Sequence, residues 1–202
     1  MTKTTNLVWG GRFKNKSSDL LREINNSIEF DYVLAEEDIY LNKSYAKSLL
    51  KSNILKKDEF KKVILALDEI MDEIKKGNFK FTHEYEDIHM NIEMALKKKI
   101  GRLSGKIHTG KSRNDQVVTD LKLWTKNKLK VVIYKLKKIQ KSIIQKAEIN
   151  LNVIMPGFTH LKNAQPISFA HYILAYMEMF GRDKKRFKNN LENLMENPLG
   201  VA

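Results

Sequence analysis

NDQVVTDLKLWTKNKLKVVIYKLKKIQKSIIQKAEIN, residues 114–150, decides the fold. Val117, Leu121, Trp124, Val132, Leu136, Ile139 and Ile143 recur at near-heptad spacing, and no proline or glycine interrupts them. That periodicity predicts one continuous helix. Roughly 35 residues at 1.5 Å each would span about 50 Å. A helix of that length cannot bury its apolar seam within a globule of 202 residues. It calls for other long helices, supplied by other subunits.

On either side lie two polar islands. GKIHTGKSRNDQ, at 105–116, precedes the long helix, and NVIMPGFTHLKNAQ, at 152–165, follows it. In the second, Pro156-Gly157 reads as a turn with Thr159 and His160 directly after it. Pro166 suits the first turn of the next helix. That helix carries Ile167, Phe169, Ala170, Ile173, Leu174, Tyr176, Met177 and Phe180, and continues through Phe187 to Met195. NPLGVA ends the chain without a cap or a charged tail, so a cut within the bundle is expected.

Toward the N-terminus, 31–53 and 57–76 read as two amphipathic helices with Gly77 as the stop. A third runs over 84–100, with Glu84, Glu86 and Asp87 in its first turn, where they complement the helix dipole. His89 and Glu93, four apart, share a face of it and are expected to pair, or to support a neighbouring site; one histidine and one glutamate do not make a metal site. Ser17-Ser18-Asp19 is a cap signal, and Trp9-Gly10-Gly11-Arg12-Phe13 a turn whose aromatics would pin the N-terminal arm. Ser27 has two readings, a helix cap and a hydroxyl presented to a ligand. The expected class is all-α: a small N-terminal helical domain over 1–106, then the first part of a long-helix bundle domain over 107–202.

Composition narrows the function. Hydrophobic residues are 42% and charged residues 30%, which is a globular balance and not a disordered one. The absence of cysteine excludes disulfides, thiolate zinc sites and cysteine nucleophiles. The N-terminus lacks the apolar core of a signal peptide, and the longest uncharged run, 163–177, is too short to span a bilayer. A cytoplasmic address, with no membrane partner, is expected. The net charge of +13 is mostly lysine spread along helix faces, which fits solvated surfaces, attraction of an anionic substrate, or nucleic acid. Aromatic-basic interleaving and recognised nucleic-acid modules are missing, so no nucleic-acid partner is expected.

The first island also matches a phosphate-loop pattern through Gly105, Gly110, Lys111 and Ser112. That loop needs a buried strand leading in. The lead-in here, MALKKKIGRLS, is lysine-rich and helical in period, and no later apolar run ends in a magnesium-binding aspartate. The pattern is therefore set aside. What remains is a set of neutral donors, Thr109, Ser112, Asn114 and Thr159, fit for carboxylates, with Arg113 as a bidentate clamp. His160 can exchange protons at neutral pH. Together they suit proton abstraction beside a carboxylate, followed by loss of a leaving group.

Several segments, in order and spanning most of the chain, resemble the argininosuccinate lyases of the fumarase/aspartase superfamily. They are WGGRF at 9–13, SIEFD at 27–31, EDIHMNIE at 86–93, HTGKSRNDQV at 108–117, MPGFTHLKNAQP at 155–166 and NPLG at 197–200. The HTGxSRNDQ wording is specific within that superfamily. The resemblance implies reversible β-elimination of argininosuccinate to arginine and fumarate, without cofactor or metal. It also implies a homotetramer with a twenty-helix core, each active site drawing on three subunits. Carried over position by position, Ser27, Asn114 and Thr159 match substrate-binding residues and His160 the catalytic histidine; Arg113 and Gln116 line the same pocket. The aci-carboxylate that such a proton transfer creates needs preorganised donors. The family's serine on a mobile GSSxMPxKxN loop has no counterpart in these 202 residues, so the chain is expected to be inactive alone. Three departures stand out: Lys111 for the usual arginine, Phe158 for tyrosine, and Lys162-Asn163 for Gln-Arg. The alternatives are a catalytically silent crystallin-like relative and a basic helical nucleic-acid binder.

Overall fold

The computed structural model describes residues 18–200, which form two compact units: one running to Leu121 and taking in 198–200, the other Lys122–Asn197. The WGGRF turn and Ser17 lie outside the described residues.

The first unit is helical. Ser18 caps α1 (Asp19–Asn25), its hydroxyl accepting from the Leu21 N–H at 3.2 Å. A four-residue α2 (Ile28–Asp31) and a 3-10 turn (Tyr32–Leu34) lead into α3 (Ala35–Lys51). The helix expected from residue 31 therefore starts at 35. The reason is Asp31, whose carboxylate turns away to accept the Ile88 N–H at 3.1 Å.

Next come α4 (Lys57–Lys75) and α5 (Ile88–Ile100). Glu59 reaches back to the Lys56 N–H at 2.9 Å, fixing the start of α4, and Gly77, at φ +71°, turns the chain out of it. α5 begins four residues later than its acidic cluster suggests. Asp87 is the N-cap, in extended conformation, and its carboxylate accepts the Met90 N–H at 2.6 Å. Glu84 and Glu86 thus precede the helix.

Apolar stripes of α3, α4 and α5 meet in one core: Ile39, Leu41, Ala46 and Leu49; Val63, Leu67 and Ile70; Ile88, Ile92 and Leu96. Leu55 and Ile107 close its edges. A 3-10 segment (Gly101–His108) then leads to α6 (Arg113–Glu148), a single helix of 36 residues, about 54 Å long.

In the second unit, Ile133, Leu136, Ala147 and Ala170 are buried, whereas Val131, Tyr134, Ile139, Tyr172, Tyr176 and Met179 stay exposed along α6 and α7 (Phe169–Glu192). Gln140 links the two helices, donating to the Met177 carbonyl at 3.1 Å and accepting from the Lys184 ammonium at 2.5 Å.

Between α6 and α7 the expected irregular island is an antiparallel hairpin, β1 (Ile154–Thr159) and β2 (Lys162–Ser168). Pro156-Gly157 is not its turn. Pro156 faces Pro166 across the ladder, so two residues without an N–H share one position, and the register shifts between Pro156 and Phe158. Gly157 is required there: a Cβ would sit 2.8 Å from the Gln165 carbonyl oxygen. Pro166 likewise belongs to β2, and α7 begins three residues later, capped by the Ser168 hydroxyl accepting the His171 N–H at 3.1 Å. The turn itself is His160-Leu161.

Candidate active site

α6 opens with Arg113, Asn114 and Gln116, and the loop before it delivers Lys111. These four side chains do different things. Lys111 is buried, donating to Asn42 Oδ1 at 2.7 Å with its ammonium 5.5 Å from the Tyr45 ring centroid. Arg113 spans two partners: Nη1 donates to Gln116 Oε1 at 3.0 Å and Nη2 to Glu93 Oε2 at 2.8 Å. Gln116 is only 2% exposed, and its amide nitrogen donates to Asp38. Asn114 alone turns its side chain outward, into solvent.

Behind this helix start lies a buried ion cluster. His89 Nδ1 is 2.9 Å from Asp38 Oδ1 and 3.3 Å from Asp120 Oδ2, and both carboxylates are completely buried. Asn42 adds a 2.9 Å bond to Asp38 Oδ2. Asp120, less well aligned, has no hydrogen-bond donor on either oxygen.

Burial alone would lower the His89 pKa, but Asp120 and Asp38 overcome it and push it up to about 10, so the ring is an imidazolium at neutral pH. Burial and the neighbouring Asp38 charge push Asp120 up to about 7. Burial would raise Asp38 too; His89, Lys111 and Gln116 prevail and hold it below the usual carboxylate value. Lys111 is lowered, chiefly by burial. His89 thus pairs with Asp38 and Asp120, and the expected partner Glu93 takes Arg113 instead.

Ligand atoms of Asp38, His89 and Asp120 lie within 4.8 Å of one another, a spacing a divalent ion could use. As folded, the Nδ1 proton and the Gln116 amide already occupy Asp38. Asn42, His89, Glu93, Lys111, Arg113 and Gln116 line a cavity of about 20 Å³, the size of one water.

Ser27 belongs to the same unit. Its backbone N–H donates to the Glu86 carbonyl at 2.8 Å and its hydroxyl to Asp31 Oδ2 at 2.6 Å. It stands at the N-cap of α2, as the cap reading expects, but its side chain makes no cap bond.

Thr159 and His160 are in the second unit, at the tip of the hairpin. His160 and Leu161 have φ of +49° and +63°, a two-residue turn with both residues left-handed. Histidine tolerates that region better than most residues, and leucine does not; Leu161 is 99% exposed, so no burial among the described residues offsets the cost. Backbone strain of this kind gathers at functional sites.

Asp38 and Asp120 carry no motif, yet a signal existed. Asp38 and Asn42 interrupt the stripe of Ala35, Ile39, Ala46 and Leu49 on α3, and Asp120 lies one turn after Gln116. Polar residues on an apolar face point to a buried network.

A family profile described as a lyase matches residues 11–202. The chain belongs to the lyase family. The argininosuccinate lyase of Pelagibacter ubique is 48% identical over 200 residues, covering 99% of this chain and 43% of its own length. That of Clostridium botulinum is 48% identical over 193 residues, covering 96% and 44%. The chain thus spans less than half the length of these curated relatives. Among solved structures, a variant of EDDS lyase with bound fumarate matches this lyase-family chain with a TM-score of 0.74 at 23% identity, over 90% of this chain and 35% of that one. A fumarate lyase:delta crystallin from Brucella melitensis matches at 0.68 and 18%, over 87% and 45%. At those identities the likeness establishes the fold: the long-helix lyase fold the sequence pointed to.

Proposed function

We propose that this chain is part of an argininosuccinate lyase, catalysing the reversible β-elimination of argininosuccinate to arginine and fumarate. One observation carries the reading: similarity at 48% identity to argininosuccinate lyases, running through 99% of the chain. The positions that matter keep the chemistry. Asn114 presents a free amide at a helix start, where neutral donors and the helix dipole favour a carboxylate. Ser27 and Thr159 add hydroxyls, and Arg113 adds a cation. Gln116 contributes from behind, through Arg113. His160 exchanges the proton, as acid or base, while these donors stabilise the aci-carboxylate.

The reaction needs no cofactor or metal. In this reading the working protein is a cytoplasmic homotetramer, with a helical domain over 1–106 and the bundle domain from 107. The 202-residue chain alone is inactive, because the family's serine motif is not among its residues. The substrate is tested by supplying full-length protein with argininosuccinate, adenylosuccinate, malate and aspartate in parallel. Fumarate release from argininosuccinate alone supports the reading; release from one of the others, and not from it, replaces the substrate.

A further inference from the structure

The reaction proposed above leaves the buried ions of the first unit without a task. Asp38 on α3, His89 on α5 and Asp120 on α6 are buried together, with Lys111 beside them from the preceding loop. Burying three or four charges is costly, and apolar residues of the same volume would hold the helices together at least as well. What an apolar contact lacks is direction. A hydrogen-bonded ion cluster has few arrangements in which its donors and acceptors are met, so it fixes register.

The directions here form a closed path. His89 Nδ1 faces Asp38 Oδ1 at 2.9 Å, and Asp38 takes the Gln116 amide. Gln116 Oε1 receives Arg113 Nη1 at 3.0 Å, and Arg113 Nη2 returns to Glu93 at 2.8 Å, one turn beyond His89 on α5. Asn114 lies between Arg113 and Gln116 on the first turn of α6. Fixing both neighbours fixes the direction in which its Cα–Cβ bond leaves the helix.

We propose that Asp38, His89 and Asp120 are positioning residues, which act through Gln116 and Arg113 to hold the first turn of α6 and so aim Asn114 at the substrate carboxylate. This inference rests on the lyase reading above. Asp120 gives the cluster its asymmetry: with no hydrogen-bond donor among the described residues, it is held by the charges of His89, 3.3 Å away, and of Lys111. Asp38, Asp120 and Lys111 face His89 and one another, with Arg113 and Glu93 beyond them, and Asp38 and Asp120 raise the His89 pKa against burial.

The test uses full-length protein and the variants Asp38→Asn, His89→Asn and Asp120→Asn, assayed well below the Tm of each. Misplacement of a binding group by about 1 Å costs roughly 100-fold, so Asp38→Asn and His89→Asn should lose about that factor in kcat/KM, most of it through a raised KM. A structural role alone would lower Tm and leave both constants of the folded enzyme untouched. Folded variants with unchanged KM and kcat overturn the positioning role.

Nitrogen NMR of the His89 ring in the wild type needs no variant. A proton on Nδ1 at neutral pH supports the cluster; an unprotonated Nδ1 overturns it. So does a saturable rise in Tm with Zn²⁺ or Mn²⁺ that is lost in Asp120→Asn, which would make the three residues metal ligands. Wild-type protein that does not turn over argininosuccinate overturns the lyase reading itself; wild-type turnover with unaffected variants overturns only this inference.

Discussion

Replacing His89 with asparagine removes the one side chain, among the described residues, within ion-pair distance of both buried carboxylates. Asp38 keeps the amides of Gln116 and Asn42, while Asp120 is left with no hydrogen-bond donor among the described residues and only the charge of Lys111 nearby. Breaking a buried charged pair by deleting one partner costs about 3–5 kcal/mol. In a chain of this size 1 kcal/mol moves Tm by about 2–4 °C, so the variant should melt roughly 6–20 °C lower at neutral pH.

The pH dependence gives the sign. The folded pKa of His89 is raised from 6.5 to about 10, so its stabilisation is complete below 6.5 and is lost as pH rises through about 10. Asp120 is raised to about 7, so below that pH it holds a proton and needs the imidazolium less. The difference between wild type and variant should therefore be largest at about pH 7, where Asp120 loses its proton, and shrink as pH rises toward about 10. Thermal melts followed by circular dichroism across that range measure it. A Tm within about 2 °C of wild type at neutral pH, or a deficit that keeps growing above pH 10, would refute the charge assignment.

Three further outcomes follow from single contacts. Leu67→Ala empties a fully buried position in the α3–α4–α5 core and should cost about 2–5 kcal/mol, read from urea unfolding; a loss under about 1 kcal/mol would mean that the core collapses around the gap. Gly157→Ala forces a methyl to within 2.8 Å of the Gln165 carbonyl oxygen, so the hairpin must open or shift; overpacking of this kind costs about 1–3 kcal/mol, and full-length enzyme with unaltered stability and turnover would show that the bulge yields freely. Asn114→Ala, at an exposed side chain, should leave Tm alone and raise KM for argininosuccinate by roughly 10–100-fold, the value of a hydrogen bond to a charged group; an unchanged KM takes Asn114 out of the binding set.

The long helix was legible because its signal is redundant: 36 residues without a breaker, with apolar positions repeating along one seam. The cap at Ser18 and the stop at Gly77 were legible because each is a local bond or a local φ. What failed depends on partners distant in the chain. Asp31 looked like the start of a helix, but the Ile88 N–H claims its carboxylate from 57 residues away. Pro156-Gly157 looked like a turn because that pair usually is one; cross-strand pairing with 165–168 made it a bulge and moved the turn to His160-Leu161, two residues without a turn propensity. His89 was noticed, though with Glu93 as its partner, because helical spacing reveals neighbours on one helix and is silent about Asp38 and Asp120 on two others. The proposed chemistry of the site rests on residue types and on family resemblance. The support behind it became visible only once three helices were brought together.

The most direct test of the central claim follows fumarate by its ultraviolet absorbance as full-length protein is given argininosuccinate, with His160→Asn alongside. The expected result is wild-type turnover and a fall in kcat of about 10²–10⁴-fold in the variant, the usual share of a positioned proton-transfer group, with KM little changed. Wild-type protein that releases no fumarate, or a His160→Asn variant that turns over at the wild-type rate, would contradict it.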